Sequence, residues 1–449
     1  MSDTAVRDPL ALAEDLIVRA KKAGADAADA LYFESVSLRH SQRLGEIEKL
    51  ERSEAQDLGL RVFIGQRQAI VSTTDHGDAA LSELIERAVA MARAVPEDPH
   101  IGLAPPELLA AETQDLDLID TEEPAPEALI ERARAAEDAA RAIAGITNSE
   151  GADASWGSAH VALAASNGFG GTYRSSRHSV AVAVLAGEGL AMQRDYDWAS
   201  AVHGGDLPSA AEIGRSAGER AVRRLNPRKV KTTKVPVVYD PRVAGGLLGH
   251  LSSAISGSAI ARGTSFLKDK MGERLFDPAI TIVDDPHRKR GLRSKPFDGE
   301  GVRAKRRAII DKGKLTTWLL DLRSAHQLGL QTTGHAARDT TAPPSPSATN
   351  LSMEPGTLSR DELIGAITDG FYITELIGFG VNGVTGDYSR GAAGFWIENG
   401  ELTYPVSEVT VAGNLLEMFA NLTPANDLVF RYGVDAPTIR IDGMTVAGA

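Results

Sequence analysis

Trp396-Ile397-Glu398-Asn399-Gly400-Glu401-Leu402 decides how the second half of this chain folds. An Asn-Gly pair between alternating apolar residues supplies the two positive φ values of a type I′ turn, so its arms pair antiparallel. Ile309-Ile310-Asp311-Lys312-Gly313-Lys314-Leu315 carries a similar signal, and Arg440-Ile441-Asp442-Gly443-Met444 repeats it with Asp-Gly. From Ala279 onward the chain therefore reads as antiparallel sheet curved toward a barrel, interrupted by one helix over Ser359–Thr368. Upstream, Val235–Tyr239 reads as a strand and Asp240-Pro241 opens a helix over Arg242–Ile260. Asp at the N-cap accepts from free backbone N–H groups, and Pro at the first helical position forfeits no needed donor.

The first half reads differently. Asp8–Lys22 has a broad apolar face and Gly24 suits its C-terminal cap. Leu31–Arg39 and Leu58–Thr73 alternate, with a hairpin at Gly65-Gln66, and Ala79–Ala94 is a second helix. The acidic, Pro-flanked stretch Glu107–Glu123 reads as a surface connection, and Ala125–Ala144 as a third helix. Strands return over Ser155–Val202, and a helix over Leu207–Leu225 follows. The order of helix, strands, hairpin and helix recurs, which points to an internal duplication. Polar, basic Asn226–Lys231 marks a boundary. The expected fold class is α+β: an N-terminal α/β-layer domain over 1–226, then a mostly antiparallel, barrel-like domain over 227–449.

A chain of 449 residues exceeds what one core usually supports, and 43% hydrophobic with 24% charged residues is an ordinary globular balance. A net charge of −13 opposes nucleic acid, and 5% aromatics gives no base-stacking surface. No cysteine is present, which excludes disulfides, thiolate nucleophiles and every Cys-containing zinc site. Met1–Asp8 lacks a basic-then-apolar signal pattern and no apolar run approaches the ~20 residues of a membrane span, so a cytoplasmic location is expected.

The ten histidines are scattered: no two stand at i, i+3 or i+4, and no His-Glu dipeptide exists. A zinc hydrolase ordinarily draws two local ligands from one helix, with a base beside them, so no catalytic metal is expected in this chain. Gly214-Arg215-Ser216-Ala217-Gly218 matches a nucleophile elbow but lies in a helical pattern, which favours small residues on a helix face. Gly378-Phe379-Gly380-Val381-Asn382-Gly383 matches a dinucleotide fingerprint, yet no helix follows, so a bent strand is the better reading. Pro286–Leu315 holds eleven Lys or Arg against three acids, read as charged strand edges or as a patch for an acidic partner. Gly245, Gly249, Ser253 and Gly257 recur every four residues along the Arg242–Ile260 helix, with His250 beside them. Glycine costs a helix about 1 kcal/mol against alanine, so close backbone approach is expected there, within the domain or from another subunit.

Thr264-Ser265-Phe266-Leu267, Ile280–Pro286, Phe297-Asp298-Gly299-Glu300-Gly301, Thr332–Arg338, Phe395–Gly400, Pro405–Asn414 and the closing Ile439–Gly448 together resemble the TldD/PmbA family, within it the PmbA (TldE) branch. The resemblance implies a bacterial metallopeptidase complex, long labelled a modulator of DNA gyrase, that cuts unfolded peptides bound as extended strands in a chamber. In it, a TldD-type subunit carries His-Glu-x-x-x-His on the helix of the second domain and a later Cys. That helix falls here on Leu247-Leu248-Gly249-His250-Leu251-Ser252-Ser253-Ala254-Ile255, with one His, no Glu and no second His. The chain therefore resembles the metal-free subunit. The implied partners are a TldD-like catalytic subunit holding the metal, zinc by expectation, and an unfolded peptide, with a homodimer as the form alone. No catalytic or metal residue is expected in this chain. Gly249, His250, Ser253, Asn382, Tyr388 and Arg390 are the candidate peptide or interface contacts. Two rival readings stand beside it: a homodimeric peptide-binding scaffold without proteolysis, and a self-sufficient peptidase with an atypical site.

Overall fold

The computed structural model describes residues 8–111 and 114–448, so Met1–Arg7, two residues of the acidic connection and Ala449 lie outside it. Six strands form one antiparallel sheet: β1 (Ala27–Arg43), β2 (Glu46–Ile64), β3 (Arg67–Thr73), β4 (Ile146–Ala165), β5 (Gly170–Ala186) and β6 (Gln193–Ala201). Their order is β3-β2-β1-β4-β5-β6. Helices α1 (Pro9–Lys22) and α2 (Asp78–Ala94) flank the first three strands in sequence, and α3 (Pro126–Arg141) and α4 (Ala210–Arg223) flank the last three. Each half thus runs helix, three strands, helix, and β1 meets β4 antiparallel at the centre. This palindromic order gives the sheet an approximate internal twofold.

Period-two alternation sorts the sheet's side chains. Ala28, Ala30 and Tyr32 of β1 pack with α1 and α2, whereas Leu31 faces the other way, toward Phe169 and Phe297. Over the second half α3 and α4 touch closely. A Cβ on Gly214 would collide with the Ala136 carbonyl, and one on Gly218 would stand 2.8 Å from the Ala140 carbonyl. The elbow-like Gly214–Gly218 motif is therefore a helix-packing face, with Gly214 and Gly218 both buried.

The second part closes on itself. Strand β7 (Thr233–Tyr239) pairs parallel with Asp369–Ile377 and antiparallel with Ile439–Ala447. Asp387–Glu398 pairs with Asp369–Ile377 and with Glu401–Asn414, which in turn reaches Ile439–Ala447. Five strands thereby complete a barrel. The turn at Asn399 (φ 51°) and Gly400 (φ 84°) has the two positive φ values that the Asn-Gly pair predicts. Curvature brings backbones together at Gly394, where any Cβ would collide with the Tyr372 carbonyl.

Several expectations are corrected. Arg440–Met444 is not a hairpin: Ile439–Ala447 runs on as one strand with a register shift between Ile441 and Met444, so Asp442-Gly443 forms a bulge. The Arg242–Ile260 helix is two helices, α5 (Pro241–Ala254) and Gly257–Ala261. They part because the Ile255 carbonyl accepts from Leu319 N–H at 3.0 Å and Gly257 N–H donates to the Leu319 carbonyl at 2.8 Å. The basic stretch after Pro286 is mostly loop, with strand only at Arg307–Asp311 and Lys314–Leu315. The acidic connection is not wholly superficial, since Leu116 and Leu118 are buried and Ser176 N–H donates to the Leu118 carbonyl.

A buried charge cluster ties the two parts. Arg61 pairs with Asp29 inside the first sheet, and Arg338 from the second part reaches Asp29 at 2.7 Å, both side chains nearly solvent-free. Burial opposes ionisation of Asp29, but Arg338 and Arg61 overcome it and hold its carboxyl below the usual range. Beside it the Thr340 backbone lies so close over Gly59 that no side chain would fit there. Phe297 meets Phe169 and Tyr173 edge-on at 5.0 and 5.5 Å.

Candidate functional site

Helix α5 starts at an Asp240 N-cap whose carboxylate accepts from Arg242 N–H at 3.0 Å. Ala244, Leu247, Leu248, Leu251 and Ala254 face the barrel core. That periodicity rotates Gly249, His250 and Ser253 away from the core. The glycine stripe serves two ends. A Cβ on Gly245 would stand 2.7 Å from the Val434 carbonyl, and Gly257 is pressed against Ser324, so both reflect packing within the domain. At Gly249 nothing lies within 4 Å.

His250, Ser253, Ala254, Ala259, Thr264, Phe266, Phe379, Val381, Gly383, Arg390 and Leu415 line a cavity of about 280 Å³. Four separated segments build it: α5, the short helix Gly257–Ala261 with the turn after it, the loop before Asp387–Glu398 with that strand, and the start of the helix Leu415–Ala420. Of the sequence-derived candidates, His250, Ser253 and Arg390 line the cavity. Tyr388 lies beneath, its ring edge-on to His250 with centroids 5.9 Å apart. Burial raises the Tyr388 phenol, and more strongly that of Tyr239, whose hydroxyl points to the Met444 sulfur at 3.5 Å. Gly249 is open and outside the lining. Asn382 shapes the loop instead: its side-chain oxygen accepts from Val384 N–H at 2.9 Å and Thr385 N–H at 3.3 Å. Phe379 and Val381 fall in the Gly-rich stretch 378–394, which the sequence marks as a candidate interface or chamber wall, whereas Phe266 and Leu415 were not legible as site residues, because apolar side chains carry no chemical signal until the fold brings them together.

Burial lowers the His250 imidazole below its ordinary range, and the nearby Arg390 guanidinium pushes it the same way. Arg390 itself is half-buried, its Nε donating to the Ile377 carbonyl at 3.3 Å. These residues do not fit a metal. The helix offers one imidazole, and the neighbouring fixed charge is a cation. Among the described residues no three His, Asp or Glu side chains converge as ligands. Phe379 of the lining is 97% exposed, and Ile377 and Val384, its near neighbours in sequence, are exposed too. Among the described residues no helix is long and apolar enough to cross a membrane.

The sequence matches three descriptions of the PmbA/TldA metallopeptidases: domain 1 at residues 28–92, the central domain at 119–225 and the C-terminal domain at 232–448. The first two divide the six-stranded sheet near its internal twofold. Metalloprotease PmbA of Escherichia coli O157:H7 is 39% identical over 425 residues, 94% of this chain and 92% of that one. A PmbA homologue of Haemophilus influenzae is 37% identical over 96% of this chain and 94% of its own. A crystal structure from Bacteroides thetaiotaomicron, described as a candidate modulator of DNA gyrase, superposes with TM-score 0.91 at 30% identity, covering 98% of each chain. TldE from Thermococcus kodakarensis shares the fold at TM-score 0.87 and 22% identity, covering 97% of this chain and all of that one. The three matched domains and these likenesses agree: the chain belongs to the TldD/PmbA family, in its PmbA branch.

Proposed function

We propose that this chain is the non-catalytic subunit of a heteromeric metallopeptidase that degrades or processes unfolded peptides in the cytoplasm. A TldD-like partner supplies the metal, zinc by expectation, and the hydrolytic step. This chain completes the chamber and helps hold the peptide, whose main-chain hydrogen bonds tolerate varied side chains. The observation that carries the reading is His250 standing alone on α5, with Arg390 rather than a carboxylate beside it. A catalytic zinc needs three protein ligands and a water; a cation at that place repels it.

The test is zinc analysis and an unfolded-peptide cleavage assay on the purified chain, with and without a TldD-type partner. The expected result is no stoichiometric zinc and no cleavage alone, with cleavage on mixing. Chelator-sensitive cleavage by this chain alone would make it a self-sufficient peptidase. Peptide binding without cleavage under either condition would make it a scaffold.

A further inference from the structure

The cavity beside His250 carries an electrostatic oddity. The chain has 61 acidic residues against 48 basic ones, yet no Asp or Glu lines this cavity, and its one full charge is Arg390. Among the described residues no carboxylate pairs with that guanidinium; its Nε reaches only a neutral carbonyl, that of Ile377. The half-buried guanidinium therefore keeps donors free for an anion that enters the apolar recess. Phe266, Phe379, Val381 and Leu415 form the apolar part of the lining, and Ser253 and Thr264 add hydroxyl-bearing side chains.

We propose that this cavity binds the C-terminal end of an extended peptide, the α-carboxylate on Arg390 and an apolar last side chain against Phe266, Val381 and Leu415. The inference rests on the peptide-handling reading above and adds its chemistry. Guanidinium and carboxylate match in a two-bond fork. About 280 Å³ is ample for one apolar side chain and the carboxylate beside it. A C-terminal residue presents a carboxylate and an apolar side chain from one Cα; an internal Asp or Glu presents only the first. His250 lines the same recess, and burial together with Arg390 disfavours its proton, which suits a ring nitrogen that accepts from the peptide's last N–H.

The experiment is fluorescence anisotropy on the full chain with three dye-labelled heptapeptides: one ending in Leu with a free carboxylate, its C-terminal amide, and an amide with Glu in place of Leu. The free acid should bind at least about tenfold tighter than its amide, the worth of one charge-assisted fork. Arg390→Gln should abolish that ratio, and Arg390→Lys, which keeps the charge, should retain part of it. Equal binding of free acid and amide by the native chain overturns the carboxylate site while leaving peptide handling intact. A Glu amide as tight as the free acid overturns the terminal assignment in favour of a side-chain carboxylate. Failure of all three to bind sinks both the cavity's role and the peptide-handling reading.

Discussion

The imidazole of His250 meets the phenol ring of Tyr388 edge-on, the planes inclined at 78° and the centroids 5.9 Å apart. The contact holds His250 in an environment that disfavours its proton, through burial first and Arg390 second. A histidine whose folded pKa is depressed binds fewer protons folded than unfolded between the two values. Its stabilisation is therefore complete above the unfolded value near 6.5 and is lost as pH falls through the folded value. Urea midpoints measured from pH 7.5 to 5 should fall, and His250→Gln should fall less steeply. Parallel curves for the two proteins would exclude the contribution.

Asp29 and Arg338 join the two parts of the molecule with almost no solvent access. Breaking a buried pair by removing one partner typically costs about 3–5 kcal/mol, because the other charge stays behind. Arg61 remains to hold Asp29 in Arg338→Leu, so the lower end of that range is expected. Denaturant unfolding of the variant gives the number, and a loss under about 1 kcal/mol would show that Arg61 suffices.

Glycines with opposite surroundings make an internal control. Gly249→Ala adds a methyl into open space on a helix and should stabilise by about 0.5–1 kcal/mol. Gly394→Ala drives a methyl into the Tyr372 carbonyl across the barrel and should destabilise strongly or prevent folding. Thermal melts of both variants check the pair. With the fold intact, Gly249→Leu tests whether a TldD-type partner covers that face, since an unchanged pull-down would remove the helix from the interface.

Phe379 is nearly all exposed, so Phe379→Asp should change stability by no more than about 0.5 kcal/mol. The same substitution places a charge at the mouth of the cavity, and binding of peptide or partner should weaken about tenfold or more. Affinity measured beside a melting curve separates the two effects; unaltered binding would assign Phe379 no role.

The sequence reading succeeds where local chemistry dictates structure. Asn399-Gly400 forms the turn it encodes, Gly24 ends α1 at φ 104°, and Ser359 closes a capping box with Glu362. It fails where the cause is distant. The first eleven residues of β2, Glu46–Gln56, are all exposed, so they show no alternation, and only the positive φ values of Leu44 and Gly45 mark the hairpin. The break after Ala254 depends on the backbone of Leu319, far along the chain. At the cavity, His250 and Arg390 were legible as polar residues on patterned elements. Phe266 and Leu415 of the apolar wall were not, because they become its neighbours only after the barrel forms.

Closure of that barrel also sets a timetable for synthesis. β7 is made near mid-chain, but its neighbours are Asp369–Ile377, about 130 residues later, and Ile439–Ala447, about 200 residues later. At roughly 5–20 residues per second the ribosome needs about 10–40 s to deliver it. Every strand of the six-stranded sheet, by contrast, precedes β7. The first sheet can thus assemble while the second part is still being made, and β7 must wait with both edges unpaired until Asp369–Ile377 is made and with one unpaired until Ile439–Ala447 follows. Nascent-chain lengths ending before residue 439 should be protease-resistant through α4 and sensitive beyond it.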